Sequence, residues 1–228
     1  MITWPAMKRV SIAELLDTDS GTPAEIAASL RDLRRINRWF GGNSTTQSLI
    51  EQVSRKSGAS SLSLLEVAAG AGVVPQKARA RLQRDGIRLD VTLLDRATSH
   101  LSCGNGTRAV AGDALALPFQ DASFDLVSCC LFAHHLAPPE LLQFVKEGLR
   151  VCRRAVLIND LIRHTVHLAL VYAGLPLYRS RLTRHDAPAS VRQSYTLDEM
   201  GDLLRQTGAT SFEMNRRFLF RMGIVIWK

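Results

Sequence analysis

Between residues 22 and 40 the apolar positions Ile26, Leu30, Leu33 and Ile36 recur at helical spacing. Thr22-Pro23-Ala24-Glu25 opens the stretch with threonine as N-cap, proline at the first helical position and glutamate three residues after the cap. The helix is expected to end near Phe40-Gly41-Gly42, and a second to run from about Thr45 to the loop Gly58-Ala59-Ser60-Ser61, so that residues 11–57 read as helical. The period then changes. Short apolar runs at Leu62–Val67, Leu89–Asp95, Thr107–Ala111, Phe124–Cys129 and Ala155–Asn159 predict strands. Helical stretches separate them: PQKARARLQRDG, with Pro75 in its first turn and Gly86 just past its end, and Pro139 to about Val151. Strands alternating with helices predict a parallel sheet covered on both faces, which suits strands this apolar. After Asp160 a helical insertion is expected over 161–185, then a helix Leu197–Gln206 capped by Thr196, then closing strands Ser211–Met214 and Leu219–Trp227. Their short connection implies an antiparallel edge. The predicted fold class is α/β: a doubly wound, mostly parallel seven-stranded sheet with an antiparallel last strand, N-terminal helices and a helical insertion after the fifth strand.

The chain has 228 residues, 46% hydrophobic and 22% charged, a size and balance that suit one soluble α/β domain with added helices. Its four cysteines (103, 129, 130 and 152) include no C-x-x-C pair, so neither a structural zinc site nor a disulfide framework is expected. Free thiols fit a reducing compartment, and the expected location is cytoplasmic, with no secretory signal in MITWPAMKRVSIAELLD. The apolar stretch HTVHLALVYAGLPLY is shorter than the about 20 residues that cross a bilayer, and reads as a buried or partly buried helix. The net charge is +8, but the basic residues are scattered through RDLRRINR, ARARLQR, RVCRR and RSRLTRH instead of forming one block. That pattern fits a solvated surface as well as an anionic partner.

Candidate chemistry lies at the strand ends. Glu66-Val67-Ala68-Ala69-Gly70-Ala71-Gly72 places an acid at the end of the first strand, then a loop of small residues opening into a helix. Small side chains let a ligand lie against the backbone, and the helix start can hold an anionic group. A dinucleotide-binding loop shares this plan, but Pro75 stands where its third glycine belongs. A ligand-free turn is the plainer alternative. Asp95, followed by Arg96, ends the second strand, where a carboxylate can accept both hydroxyls of a ribose. Gly112-Asp113-Ala114 follows the third, where Asp113 can accept from an adenine amino group and the Ala114 amide can donate to the ring.

In this order, LLEVAAGAG, LLD, GDALALPF and SFDLVSCCLFAHHL resemble the nucleotide-binding motifs of class I S-adenosylmethionine-dependent methyltransferases over roughly residues 60–160. The resemblance implies a Rossmann-like fold, S-adenosylmethionine as cofactor, and cofactor contacts at Glu66, Ala68, Gly70, Gly72, Asp95, Arg96, Asp113 and Ala114. The family's first loop glycine is Ala68 here, a departure shared with methyltransferases of ubiquinone and menaquinone biosynthesis. It divides the single domain into a helical cap (1–57), a cofactor-binding core (58–160), a substrate-cap insertion (161–192) and a closing helix with strands (193–228). Farther on, NDLIRH and RLTRHDAPASVRQSYT resemble bacterial methyltransferases associated with type III polyketide synthases. That likeness implies a small phenolic or polyketide acceptor methylated on oxygen in secondary metabolism.

Activating a phenol or enol, with a pKa near about 10, calls for a base or an anion-stabilising group. His134 and His135 after the fourth strand, and Asp160 after the fifth, are the candidate catalytic residues; a structural role for either histidine stays open. Trp39, Phe132, His164, Tyr172, His185 and Arg192 are candidate acceptor contacts, and no metal is expected. Methylation of RNA or other nucleic acid is the rival reading, as is carbon methylation of a quinone-type precursor. Against the former, Cys129-Cys130-Leu131-Phe132 stands where amine-methylating enzymes carry Asn/Asp-Pro-Pro-aromatic, and no Pro-Cys pair supplies a nucleophile. A monomer or homodimer is expected, with no nucleic-acid partner and no membrane span.

Overall fold

Leu62, Leu64, Leu65 and Val67 in β1 (Ser61–Val67) are all buried, as a central strand with helices on both faces requires. Around it stand β2 (Arg88–Asp95), β3 (Arg108–Ala111), β4 (Phe124–Cys130), β5 (Cys152–Leu161), β6 (Ser211–Arg217) and β7 (Arg221–Trp227). They form one seven-stranded sheet in the order β3-β2-β1-β4-β5-β7-β6. The first five strands pair in parallel, and β7 runs antiparallel to both β5 and β6. The doubly wound architecture and antiparallel last strand expected from the sequence are therefore present. The computed structural model describes residues 7–18, 20–97, 101 and 107–228.

Among the described residues, seven α-helices accompany the sheet: α1 (Pro23–Trp39), α2 (Gly42–Ser57), α3 (Val73–Arg84), α4 (Pro138–Val151), α5 (Thr165–Gly174), α6 (Arg181–Gln193) and α7 (Leu197–Leu204). The capping box at Thr22 is formed as the sequence implies, with Glu25 returning a bond to the cap backbone. One face of the sheet packs Val127, Ile158 and Ile224 against Phe144 and Val145 of α4. The other packs Leu64, Leu93 and Val225 against Leu49 and Ile50 of α2 and Leu82 of α3.

Three expectations need correction. Residues 11–14 carry no regular structure and 15–18 form a turn, not a helix; Asp19 lies outside the described residues. Their amides bond elsewhere: those of Leu15 and Leu16 donate to the Asp186 carboxylate at 2.9 and 3.1 Å, and Val10 donates to the Arg192 carbonyl at 3.2 Å. The segment therefore lies along α6, with one turn closed by the Ser20 amide on the Leu15 carbonyl at 2.9 Å. Second, α2 starts at Gly42, because left-handed Gly41 (φ +79°) begins a helix three residues before Thr45. Third, the insertion is two helices, α5 and α6. No residue of α5 is fully buried, although it is almost wholly apolar.

The strand order reverses between β1 and β4, so the loops leaving their carboxyl ends diverge to opposite sides and open a crevice. The segment 11–17 and helices α1, α5 and α6 face that crevice, and the functional residues gather there.

Candidate active site

The loop after β1 turns tightly through three left-handed residues: Ala68 (φ +52°), Gly70 (φ +50°) and Gly72 (φ +64°). The glycines do different work. A Cβ on Gly72 would stand 2.5 Å from Leu93 Cδ1, so this residue lets α3 pack on β2 and does not line the cavity. A Cβ on Gly70 would meet nothing within 4 Å, so the space over its backbone is free for a ligand. Asp95 ties this loop to the next: its Oδ2 accepts from the Gly70 amide at 2.7 Å and its Oδ1 from Ala97 at 2.9 Å. Each oxygen keeps a second lone pair. Arg96, Asp113 and Ala114 line the same cavity, and Asp113 braces its own turn through Leu115 N at 2.9 Å.

Beneath the loop, Glu66 is 2% exposed and accepts a short hydrogen bond from the Ser128 hydroxyl. Burial pushes its carboxyl up to about 7, against the lowering effect of that bond. Because the folded pKa lies above the unfolded one, the protonated side chain favours folding fully below about 4.5. That contribution fades as pH rises through about 7. Glu66→Gln, which cannot ionise, is expected to unfold later than the parent at pH 8 by on the order of 3 kcal/mol, and to show no advantage at pH 4. Denaturant melts at both pH values check this; equal gains at both would locate the effect outside the ionisation.

At the end of β4 the chain turns through Leu131 (φ +57°) into a 3-10 turn, Ala133–His135. Here the histidines separate in role. His134 is 2% exposed, with Nδ1 2.6 Å from Asp160 Oδ1 and its amide donating to Asp160 Oδ2 at 2.9 Å. Asp160, equally buried, also accepts from Leu161 N at 2.7 Å and does not line the cavity. It positions His134 and has no access to an acceptor. His135 lies against Phe132 with ring centroids 6.4 Å apart, and its Nδ1 stands 2.8 Å from Asp17 Oδ2. Both histidines turn Nε2 toward Glu14, at 3.5 Å for His134 and 3.9 Å for His135. Glu14 Oε1 already accepts from Ser190 Oγ at 2.6 Å and Gln193 Nε2 at 2.7 Å, and His134 Nε2 is left without a hydrogen-bond partner. Burial by itself lowers the His134 pKa, but the Asp160 and Glu14 carboxylates outweigh it and raise it. Reciprocally, and also against burial, His134 holds Asp160 and Glu14 below the usual carboxylate range.

Glu14 and Asp17 were invisible to sequence reasoning, since SIAELLD reads as one more helical segment and nothing in it points to residues 134 and 135. Among the expected acceptor contacts, Trp39 and Phe132 line the cavity. His164, Tyr172, His185 and Arg192 do not. His164 caps α5, accepting from Val166 N at 3.1 Å, and stacks on Phe220. Arg192 donates to the Tyr172 hydroxyl at 3.1 Å, and His185 Nδ1 lies 2.8 Å from Asp186.

These parts face one cavity of about 700 Å³. Residues 65–158 match the family model described as "Methyltransferase domain". That match spans 94 of the 228 residues and takes in the loops after β1, β2, β3 and β4. Around it the whole chain shares its fold with solved structures. The plantazolicin methyltransferase BpumL, in complex with a monoazolic desmethylPZN analog and SAH, superposes with a TM-score of 0.72 at 12% identity over 94% of each chain. The plantazolicin methyltransferase BamL gives 0.68 at 16% identity over 93% of this chain and 94% of that one. A putative methyltransferase from an antibiotic biosynthesis pathway of Anabaena variabilis gives 0.50 at 18% identity over 69% and 58%. No curated protein sequence matches.

The cavity walls fit S-adenosylmethionine, the cofactor that the sequence motifs imply. The open space over Gly70 admits the amino-acid end, and the half-buried Asp95 carboxylate suits the ribose hydroxyls. Asp113 and the Ala114 amide would suit the adenine edge, and Glu66 lines the same cavity beside the loop.

Proposed function

We propose that this chain transfers a methyl group to a hydroxyl oxygen of a small, largely apolar acceptor of the phenol or polyketide-enol type. One observation carries the reading: the cofactor loops and the Glu14–His134–His135 cluster open onto the same cavity, whose other walls include Leu30, Leu33, Phe132 and Val171. An apolar pocket with a few convergent polar groups is what such an acceptor needs. The solved relatives that handle natural products support the class of acceptor, each by what it was crystallised with or named for.

When bound, S-adenosylmethionine supplies an electrophilic methyl group on a sulfonium. The chain would have to hold the acceptor oxygen in line with that methyl group and take the hydroxyl proton onto a side chain at the polar end of the cavity or into water. The chain's own share is placement and electrostatics. Phe132 and α5 hold the acceptor ring away from water, while Glu14, Asp17 and the two histidines mark the polar end where the hydroxyl sits. Asp17 fixes the His135 ring, so Nε2 is the edge available to the acceptor.

His135→Ala is expected to cut turnover roughly 10²–10⁴-fold while leaving cofactor affinity nearly unchanged. The assay is a mass-shift screen for the gain of one methylene, offered phenols, polyketides, quinone precursors and total RNA. Transfer to RNA with none to any phenol, or a carbon-methylated quinone product, would overturn the acceptor assignment; parental turnover in the variant would remove His135 from the site.

A further inference from the structure

We infer that Glu14, His134 and His135 form a binding site for one divalent transition-metal cation at the polar end of the cavity. The site's role toward the acceptor hydroxyl rests on the reading above; the binding itself does not. Glu14, His134 and His135 each offer a ligand atom, and the three atoms lie within 4.8 Å of one another. His134 Nε2 and His135 Nε2 stand 3.5 and 3.9 Å from the two Glu14 oxygens. Two atoms each about 2.1 Å from one ion stand roughly 3.0–3.4 Å apart. With the three ligand atoms within 4.8 Å of one another, closing the cluster onto an ion requires a contraction of up to about 1.8 Å.

Three further features separate this cluster from an incidental gathering of polar groups. First, His134 Nε2 is buried and has no hydrogen-bond partner, although it is directed at Glu14. Its nearest acceptor, Glu14 Oε1, stands 3.5 Å away as a long ion pair, which leaves that nitrogen under-coordinated for a group in a protein interior. Second, both histidines are oriented as metal ligands are: each presents Nε2 inward and holds Nδ1 on a carboxylate, Asp160 at 2.6 Å and Asp17 at 2.8 Å. Carboxylate partners of this kind fix the ring and strengthen the ligand. Glu14 is braced likewise, with Ser190 and Gln193 both bonded to Oε1, which leaves Oε2 for coordination.

Third, the charge is unbalanced. Three carboxylates surround two imidazoles; Arg9 spends its guanidinium on the carbonyls of His134, Leu136 and Gln193, and Arg96 acts on Asp17 from outside the cluster. A divalent ion supplies the missing positive charge at the point where the three ligand atoms converge. Two imidazoles and one carboxylate with open positions suit zinc, iron(II), cobalt(II) or manganese(II) over magnesium or calcium, which prefer all-oxygen shells. All three residues line the cavity, and a cation held by them would favour an ionised acceptor hydroxyl beside it.

The test titrates zinc(II), cobalt(II) and magnesium(II) into the chelator-treated full chain by calorimetry, with cobalt absorbance recorded in parallel. Zinc and cobalt are expected to bind in one equivalent and magnesium much more weakly. His135→Ala and Glu14→Gln should each weaken zinc by at least tenfold, and Asp17→Asn, which removes only a partner of His135, by roughly 10–100-fold. Circular dichroism of each variant separates a lost site from a lost fold, and the half-exposed Asp17 keeps the test open if Glu14→Gln fails to fold. No saturable zinc binding, affinity unchanged in both His135→Ala and Glu14→Gln, or a thiolate-to-cobalt charge-transfer band would overturn the site. A failed phenol screen bears only on the acceptor.

Discussion

Asp95→Ala is expected to weaken S-adenosylmethionine binding by roughly 10²–10⁴-fold, the largest loss of cofactor affinity of any single replacement at this site. Two interactions disappear together. On the proposed cofactor pose the carboxylate would accept both ribose hydroxyls, and hydrogen bonds to a charged acceptor contribute about 1.5–3 kcal/mol each. The same side chain holds the Gly70 amide at 2.7 Å, so its removal also frees the loop on which the amino-acid end rests. Asp95→Asn, with one acceptor oxygen left, should fall between the alanine variant and the parent. Calorimetry with the cofactor and its demethylated product, with NAD titrated alongside, checks the expectation. A loss under tenfold in the alanine variant, or NAD binding more tightly than either, would remove Asp95 from the ribose site.

That expectation was legible before any coordinates, and the reason is local. Glu66, Gly70, Asp95 and Asp113 each stand within a few residues of a strand end, and strand ends can be read from apolar runs. Once the strands are parallel, their carboxyl ends share one edge, so the three loops that carry these residues must converge. The separate duties of Gly70 and Gly72 were not legible, because they depend on whether Leu93 lies over a would-be Cβ. The other half of the site was hidden for a different reason. Glu14 and Asp17 reach the histidines through a segment without regular structure, fixed by Asp186 and by carbonyls of α6. No periodicity encodes that path. The helical reading of 11–21 failed for the same cause, since long-range side-chain acceptors outcompeted the local amide-to-carbonyl ladder. The acceptor contacts expected on α5 and α6 were misplaced by helix rotation. Composition puts Tyr172, His185 and Arg192 in the right segment, but only packing decides which face of each helix meets the cavity.

Asp160→Ala is expected to cost the folded protein about 3–5 kcal/mol without touching the cofactor site. Asp160 and His134 are each 2% exposed and joined at 2.6 Å, and removing one partner of a buried pair strands the other. Two backbone donors lose their acceptor as well, the amides of His134 and Leu161. For a domain of this size such a loss corresponds to a fall of roughly 6–20 °C in Tm. Asp160→Asn keeps one oxygen but turns an N–H₂ group toward these donors, so it should recover little. The cycle closes with His134→Ala in both backgrounds: once Asp160 is gone, deleting His134 should cost much less than it does in the parent, because the stranded partner leaves with it. Chelator is kept in every sample so that a bound ion does not mask the pair. Because Asp160 does not line the cavity, calorimetry at a temperature where the variant is folded should return nearly parental cofactor affinity. A stability loss under about 1 kcal/mol would mean that the pair contributes no more than an exposed one. Additive losses in the cycle would show that His134 is held by Glu14 and its own turn, and the role of Asp160 as the residue that positions His134 would then be lost.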